Sequence, residues 1–221
     1  MLHDHDVKKL NIFSLNRRDV IKLYKHVRKK LGDSGVDGEV VVVHLDFNHR
    51  DSLLYLPIIF AVIGSGNAFY FVGDENKLQQ EAEVVGSRVV VSSKSLKDWN
   101  HVDNICVTVL SSSTSSPTSS LPADTVYVIR TSGSTGRPRT VYVTNSSIVP
   151  NIVDISGEWS LGCDDVVLLS SPPTFDPHII DVFVSFISAA NLLFIPRNIL
   201  ISHVDIDSVT VLHCTPSLLR R

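Results

Sequence analysis

The sequence predicts an α/β protein, and three observations carry that prediction. Short runs of Val, Ile and Phe recur without alternating with polar residues, as at Glu39–Leu45 (EVVVVHL). Segments with helical spacing separate those runs. Composition is that of an ordinary globular chain, 43% hydrophobic and 19% charged over 221 residues, which is enough apolar material for one sizeable core. Continuous apolar strands separated by helices indicate a parallel sheet covered on both faces.

The elements follow in order. From Asn16 to Leu31, Val20, Tyr24, Val27 and Leu31 share one helical face, Lys and Arg crowd the last turn, and Gly32 stands where a C-terminal cap belongs. The strand at Glu39–Leu45 comes next, then a helix-like segment at Ser52–Ile63 and a strand at Ala68–Val72. A polar helix is expected near Lys77–Val84 and a strand at Arg88–Ser92. Further strands are predicted at Ile105–Leu110, Thr125–Thr131, Thr140–Thr144, Asp165–Ser170, Leu192–Ile195 and Val209–His213. Helices are predicted at Ser147–Ser156 and Pro177–Ala190. Ser111–Pro122 (SSSTSSPTSSLP) cannot bury a face and is predicted to be a flexible surface loop. The expected organisation is a first βα portion over 1–110, that loop over 111–122, and a second portion of the same domain over 123–221.

Several function classes are excluded. Net charge is −3 and the pI is near 6.3, so no basic field draws the chain to nucleic acid or to an acidic membrane surface. The first residues, Met1–Asn11, are polar and carry no apolar signal stretch. The longest apolar run, Leu53–Ile63, is interrupted by Pro57 and falls far short of the ~20 residues of a membrane span. Cys106, Cys163 and Cys214 form neither a disulfide framework nor a zinc spacing, which points to reduced thiols in a cytoplasmic protein. The nine histidines show no paired ligand spacing, and His213 and Cys214, adjacent in a predicted strand, point to opposite faces. His178, one turn into its predicted helix, is expected to face solvent in preference to a bound substrate.

One segment carries chemistry. Val126–Thr144 reads VYVIRTSGSTGRPRTVYVT, two β-type runs around a loop. Thr131, Ser132, Gly133, Ser134, Thr135 and Gly136 place four hydroxyls and two glycines in six positions. Glycine lets the backbone approach a ligand closely, and successive N–H groups with hydroxyls form a nest for an anion. Arg139 adds a cation just beyond. Polyphosphate requires that combination of many donors, little bulk and a balancing positive charge. The spacing does not fit a Walker A loop, whose glycines stand further apart, and Gly64-x-Gly66 is followed by Phe69 where a dinucleotide fingerprint requires a third glycine. On composition alone, a Ser/Gly-rich hairpin loop without a ligand remains open.

The run YVIRTSGSTGRPR resembles the phosphate-binding signature of the adenylate-forming superfamily, Tyr-Thr-Ser-Gly-Ser/Thr-Thr-Gly-x-Pro-Lys. That superfamily comprises acyl-CoA synthetases, luciferases and the adenylation domains of peptide synthetases. Thr131–Gly136 and Pro138 match it position for position, and Arg139 stands at its lysine, a planar fork in place of a point charge. Phe13–Leu31 is similar to the opening segment, and Gly66–Asp74 (GNAFYFVGD) is a degenerate form of a structural motif. Ser171–Phe183 (SPPTFDPHIIDVF) resembles the entry to the substrate pocket. Ile148–Ile152 (IVPNI), Thr174–Pro177 (TFDP) and Thr210–Arg221 (TVLHCTPSLLRR) are similar to the β-alanine-activating branch.

The resemblance implies the stacked βαβ sheets of the front half of the large N-terminal domain. It implies ATP and Mg²⁺, activation of a small amino acid such as β-alanine, or another carboxylate, as an acyl-adenylate, and transfer to a phosphopantetheine thiol on a carrier domain or the remainder of the protein. Residues Thr131–Gly136 would bind the ATP phosphates and Arg139 would act in catalysis. Phe175 and Asp176 would contact substrate, Phe175 as a pocket wall or core aromatic and Asp176 through the amino group. Asp176 before Pro177 also reads as a helix N-cap, and the two roles overlap. The superfamily's Mg²⁺-binding glutamate, ribose-binding aspartate and lid lysine would fall beyond Arg221. No metal ligand is therefore assigned, and the chain alone is expected to be inactive. The alternatives are a non-catalytic remnant that binds nucleotide or a partner, and a purely structural α/β domain.

Overall fold

The computed structural model describes residues 17–46, 53–93, 105–110, 121–131, 138–194 and 208–216. These form two compact units, one up to Ile148 and one from Val149 onward.

The first unit contains α1 (Arg17–Asp33), β1 (Val40–His44), α2 (Tyr55–Gly64), β2 (Ala68–Phe71), α3 (Leu78–Val85), β3 (Val89–Ser93), β4 (Ile105–Val109), β5 (Thr125–Thr131) and β6 (Arg139–Thr144). Its six strands pair in the order β4-β3-β1-β2-β5-β6. The four central strands are mutually parallel, as the Val-rich runs require. The two outer strands differ from the expectation of a parallel sheet: β4 runs antiparallel to β3, and β6 antiparallel to β5. For β6 the reason is length, since the connection 132–138 is too short for the crossover that a parallel neighbour needs.

Both faces of the sheet are covered. On one, Val40, Val42, Ala68, Tyr70, Val90 and Val128 pack with Ala82 and Val85 of α3. On the other, Tyr55 of α2 stacks on Phe71 at 4.9 Å, Phe69 stacks on Tyr127 at 5.6 Å, and α1 packs against α2. Of the apolar face read from the sequence of α1, Val27 and Leu31 are buried while Val20 and Tyr24 are half-buried, and Leu23 is buried beside them. The helix nevertheless does not end at Gly32. It runs on to Asp33, and the left-handed residue is Gly35 (φ 64), with Val36 N–H donating to Leu31 O and Gly35 N–H to Gly32 O.

The helix α4 (Asn145–Trp159) contains the boundary between the units, beside Pro150. The second unit continues with β7 (Val166–Leu169), α5 (Pro177–Ile187), β8 (Asn191–Phe194) and β9 (Val211–Leu212). Its strands form a parallel sheet in the order β8-β7-β9. Val167, Leu168, Ile179 and Val182 form its buried centre. The predicted strand Val209–His213 shortens to two residues. The Ser/Thr/Pro segment lies outside the described residues except for Leu121 and Pro122, and so does the aromatic-led start before α1.

Candidate nucleotide and substrate sites

The phosphate-loop candidate sits where β5 leaves the sheet. Its centre is buried at Tyr127 and Val128, and the last registered pair with β2 is Tyr70↔Val128. Pairing with β6 continues beyond that point through Ile129↔Val141 and Arg130↔Thr140 to Thr131↔Arg139. The residues after Ile129 therefore project past the end of β2 as a two-stranded ribbon. At its tip, Thr131 and Arg139 stand directly opposite each other, and both are exposed. Ser132, Gly133, Ser134, Thr135 and Gly136 lie outside the described residues. The tip is at the carboxyl end of the parallel strands, the end at which open α/β sheets bind ligands.

The other end of the hairpin is closed by Asp124. Its backbone is left-handed (φ 66), its carboxylate accepts from Ser146 N–H at 2.9 Å, and its carbonyl accepts from Asn145 N–H at 2.8 Å. A cavity of about 400 Å³ opens there, lined by Gly38, Ile63, Asn67, Leu121, Asp124 and Asn145. It lies at the amino ends of the parallel strands, away from Thr131 and Arg139.

Arg130 is a site-proximal residue that the sequence reading passed over. It occupies the position at which the superfamily signature carries tyrosine. Its Nη1 donates to Glu81 Oε2 of α3 at 2.7 Å, and the Tyr70 hydroxyl of β2 donates to the same oxygen at 2.6 Å. The side chains of Arg130 and Glu81 are partly buried, at 21% and 18% exposed, and Tyr70 is buried, at 7%. Burial works against the Glu81 carboxylate, yet hydrogen bonds from Tyr70 and Arg130 outweigh it and hold the carboxyl below its ordinary range. Burial, then the Glu81 hydrogen bond, pushes the Tyr70 phenol well up. The signal in the sequence was an arginine inside an otherwise apolar strand, which demands a buried partner.

The substrate-pocket candidates lie in the second unit. Phe175 is 45% exposed, so it is no core aromatic. Asp176 is exposed at the N-terminus of α5, with Pro177 in the first turn as expected. Its side chain does not cap the helix. The backbone is already right-handed (φ −51, ψ −43), and the Ile179 N–H that a capping carboxylate would take instead donates to Asp176 O at 2.9 Å. His178 is corrected as well: it is 1% exposed, and its Nδ1 lies 2.7 Å from Ser171 O. With Asp181 and Ser185, both fully buried, it forms a polar row along the inner side of α5. Asp181 Oδ1 lies 2.7 Å from Nδ1 of His213, whose ring meets Trp159 edge to face at 5.6 Å. Burial raises the Asp181 carboxyl to about 6, against the opposing pull of His213.

Residues 39–221 match the sequence pattern of the AMP-binding enzyme family. The chain belongs to that family. Among curated relatives, the beta-alanine-activating enzyme of Danio rerio is 41% identical over 102 residues, covering 43% of this chain and 9% of that protein. The beta-alanine-activating enzyme of Homo sapiens is 40% identical over the same length. The chain thus spans only 9% of the length of these relatives. Solved structures share the fold. CmiS6 superposes with a TM-score of 0.71 at 17% identity, over 94% of this chain and 53% of its own. The four-domain nonribosomal peptide synthetase holo-AB3403, bound to AMP and glycine, gives 0.70 at 16% identity over 97% of this chain and 17% of its own. Among the described residues, no helix is long and apolar enough to cross a membrane.

Proposed function

We propose that this chain contributes the triphosphate-binding hairpin and the substrate entry of an ATP-dependent ligase that activates a small amino acid of the β-alanine type. The observation that carries the reading is the pairing of Thr131 with Arg139 at the exposed carboxyl end of β5, bracketing a loop that matches the superfamily signature. Backbone N–H groups and hydroxyls of Thr131–Gly136 would hold the β- and γ-phosphates, and Arg139 would neutralise charge as pyrophosphate departs. Mg²⁺, when bound, would supply further positive charge at the phosphates. Phe175 and Asp176, at the head of α5, would meet the amino acid, the carboxylate pairing with its ammonium group. Transfer of the acyl group to a phosphopantetheine thiol on a carrier domain completes the reading. The named relatives in animals and the peptide synthetases support it. The free cysteines support a cytoplasmic setting.

The test is exchange of labelled pyrophosphate into ATP by the natural protein that carries this chain, with β-alanine and a panel of small amino acids. Exchange that depends on one of them, and that Asp176→Ala abolishes, is the expected result. Absence of exchange with every member of the panel overturns the ligase assignment.

A further inference from the structure

The ribbon that carries Thr131 and Arg139 poses a mechanical problem. A two-stranded hairpin beyond the edge of its sheet is marginally stable by itself. Its outer strand β6 is an edge strand, with Val141 and Tyr142 exposed. Yet phosphate donors are effective only when held in place before the ligand arrives, because each degree of freedom frozen on binding subtracts from affinity. Among the described residues, the side-chain hydrogen bond that ties the ribbon back to the body is the one from Arg130 to Glu81, at 2.7 Å.

We propose that Arg130 is a positioning residue for nucleotide, clamped by Glu81 and Tyr70 so that the tip of the β5–β6 ribbon is held ready for a triphosphate. The proposal rests on the phosphate-binding reading of that tip. The geometry favours a clamp over an ordinary surface ion pair. Both side chains are partly buried, and Glu81 Oε2 receives two short bonds, one from the ribbon and one from the central strand β2. Three elements thus converge on a single oxygen: α3 supplies it, β2 braces it, and β5 hangs from it. Arg130 lies next to Thr131 and opposite Thr140, so any rotation of the ribbon about its root must first break this contact. Tyrosine at the same position could not pair with a carboxylate in charge, so the Arg130–Glu81 couple does not follow from the superfamily signature.

The test measures binding of ATP and of inorganic tripolyphosphate, each with Mg²⁺, to the 221-residue chain. The variants are Glu81→Gln, Arg130→Met, Tyr70→Phe and the exchange Glu81→Arg with Arg130→Glu. Loss of the clamp should weaken both ligands by about 5- to 10-fold in folded protein, with the charge exchange recovering most of the loss. Tyr70→Phe deletes one hydroxyl and keeps the fold, so it reports even where a charge variant fails to fold; a smaller loss in the same direction is expected. Equal affinities for wild type and every folded variant overturn the clamp while leaving the phosphate-binding reading intact. Wild-type protein that binds neither ligand overturns that reading, and the clamp with it.

Discussion

Asp181 and His213 meet in the interior of the second unit, Oδ1 to Nδ1 at 2.7 Å, with the aspartate side chain fully buried. The contact joins α5 to the end of β9. It also carries a cost, because burial disfavours the carboxylate more than the histidine contact favours it, and the carboxyl rises to about 6 from an ordinary 3.8. A folded-state value above the unfolded one means that the folded state holds the proton longer. The stability due to protonated Asp181 is therefore complete below about pH 4 and is lost as pH rises through about 6.

Asp181→Asn should flatten that window. Urea unfolding of wild type and variant at pH 4.5 and 7 should show the difference in stability moving in the variant's favour at the higher pH, by about 2 kcal/mol. Parallel curves for the two proteins across this range would contradict the assignment.

Arg139 stands exposed at the ribbon tip, so its removal should leave folding alone and act on ligand. Arg139→Ala should weaken ATP–Mg²⁺ binding by about tenfold or more, while Arg139→Lys should retain most of it, since the superfamily signature carries lysine there. Titration calorimetry gives the affinities, and thermal melts check that the midpoint stays within about 1 °C.

Asn67 links the loop before β1 to the loop before β2. Its Oδ1 accepts from Glu39 N–H at 3.0 Å, and its Nδ2 donates to Ser65 O at 3.1 Å and Val36 O at 3.5 Å, with the residue 1% exposed. Asn67→Ala leaves those backbone groups without their partner in a buried place. A loss of about 2–3 kcal/mol is expected in denaturant unfolding.

Two glycines should respond in opposite directions. Gly86 ends α3 with φ 68, and a Cβ there would touch nothing, so Gly86→Ala costs about 1 kcal/mol through backbone strain alone. Gly157 lies within α4, also with open space around a Cβ and without a positive φ. Gly157→Ala should stabilise by up to about 1 kcal/mol. Melting temperatures of the two variants should bracket the wild type.

The central sheet was legible because its strands announce themselves: β1, β2 and β3 are runs of valine and phenylalanine buried on both sides, and no helix pattern competes there. Strand direction at β4 was not legible, since the apolar content of Ile105–Val109 says nothing about how the chain returns. The hairpin around the phosphate loop could be read from two β-type runs and their glycines. Its anchoring could not, because Arg130 and Glu81 are far apart in the chain and pair only once α3 is laid across the sheet. His178 misled for a related reason. A histidine one turn into a helix reads as solvent-facing until Ser171 O is seen to satisfy it inside.

The polar row of α5 works as a key in a lock. Turning that helix by a single residue, or sliding it by a turn, would strand an imidazole and a carboxylate against hydrocarbon, whereas the Ser185 hydroxyl keeps its bond to Asp181 O within the helix. Leucine in place of the imidazole and the carboxylate would make a greasier helix with several nearly equivalent seatings. Whatever approaches Phe175 and Asp176 therefore finds them in one orientation, dictated by residues it never touches.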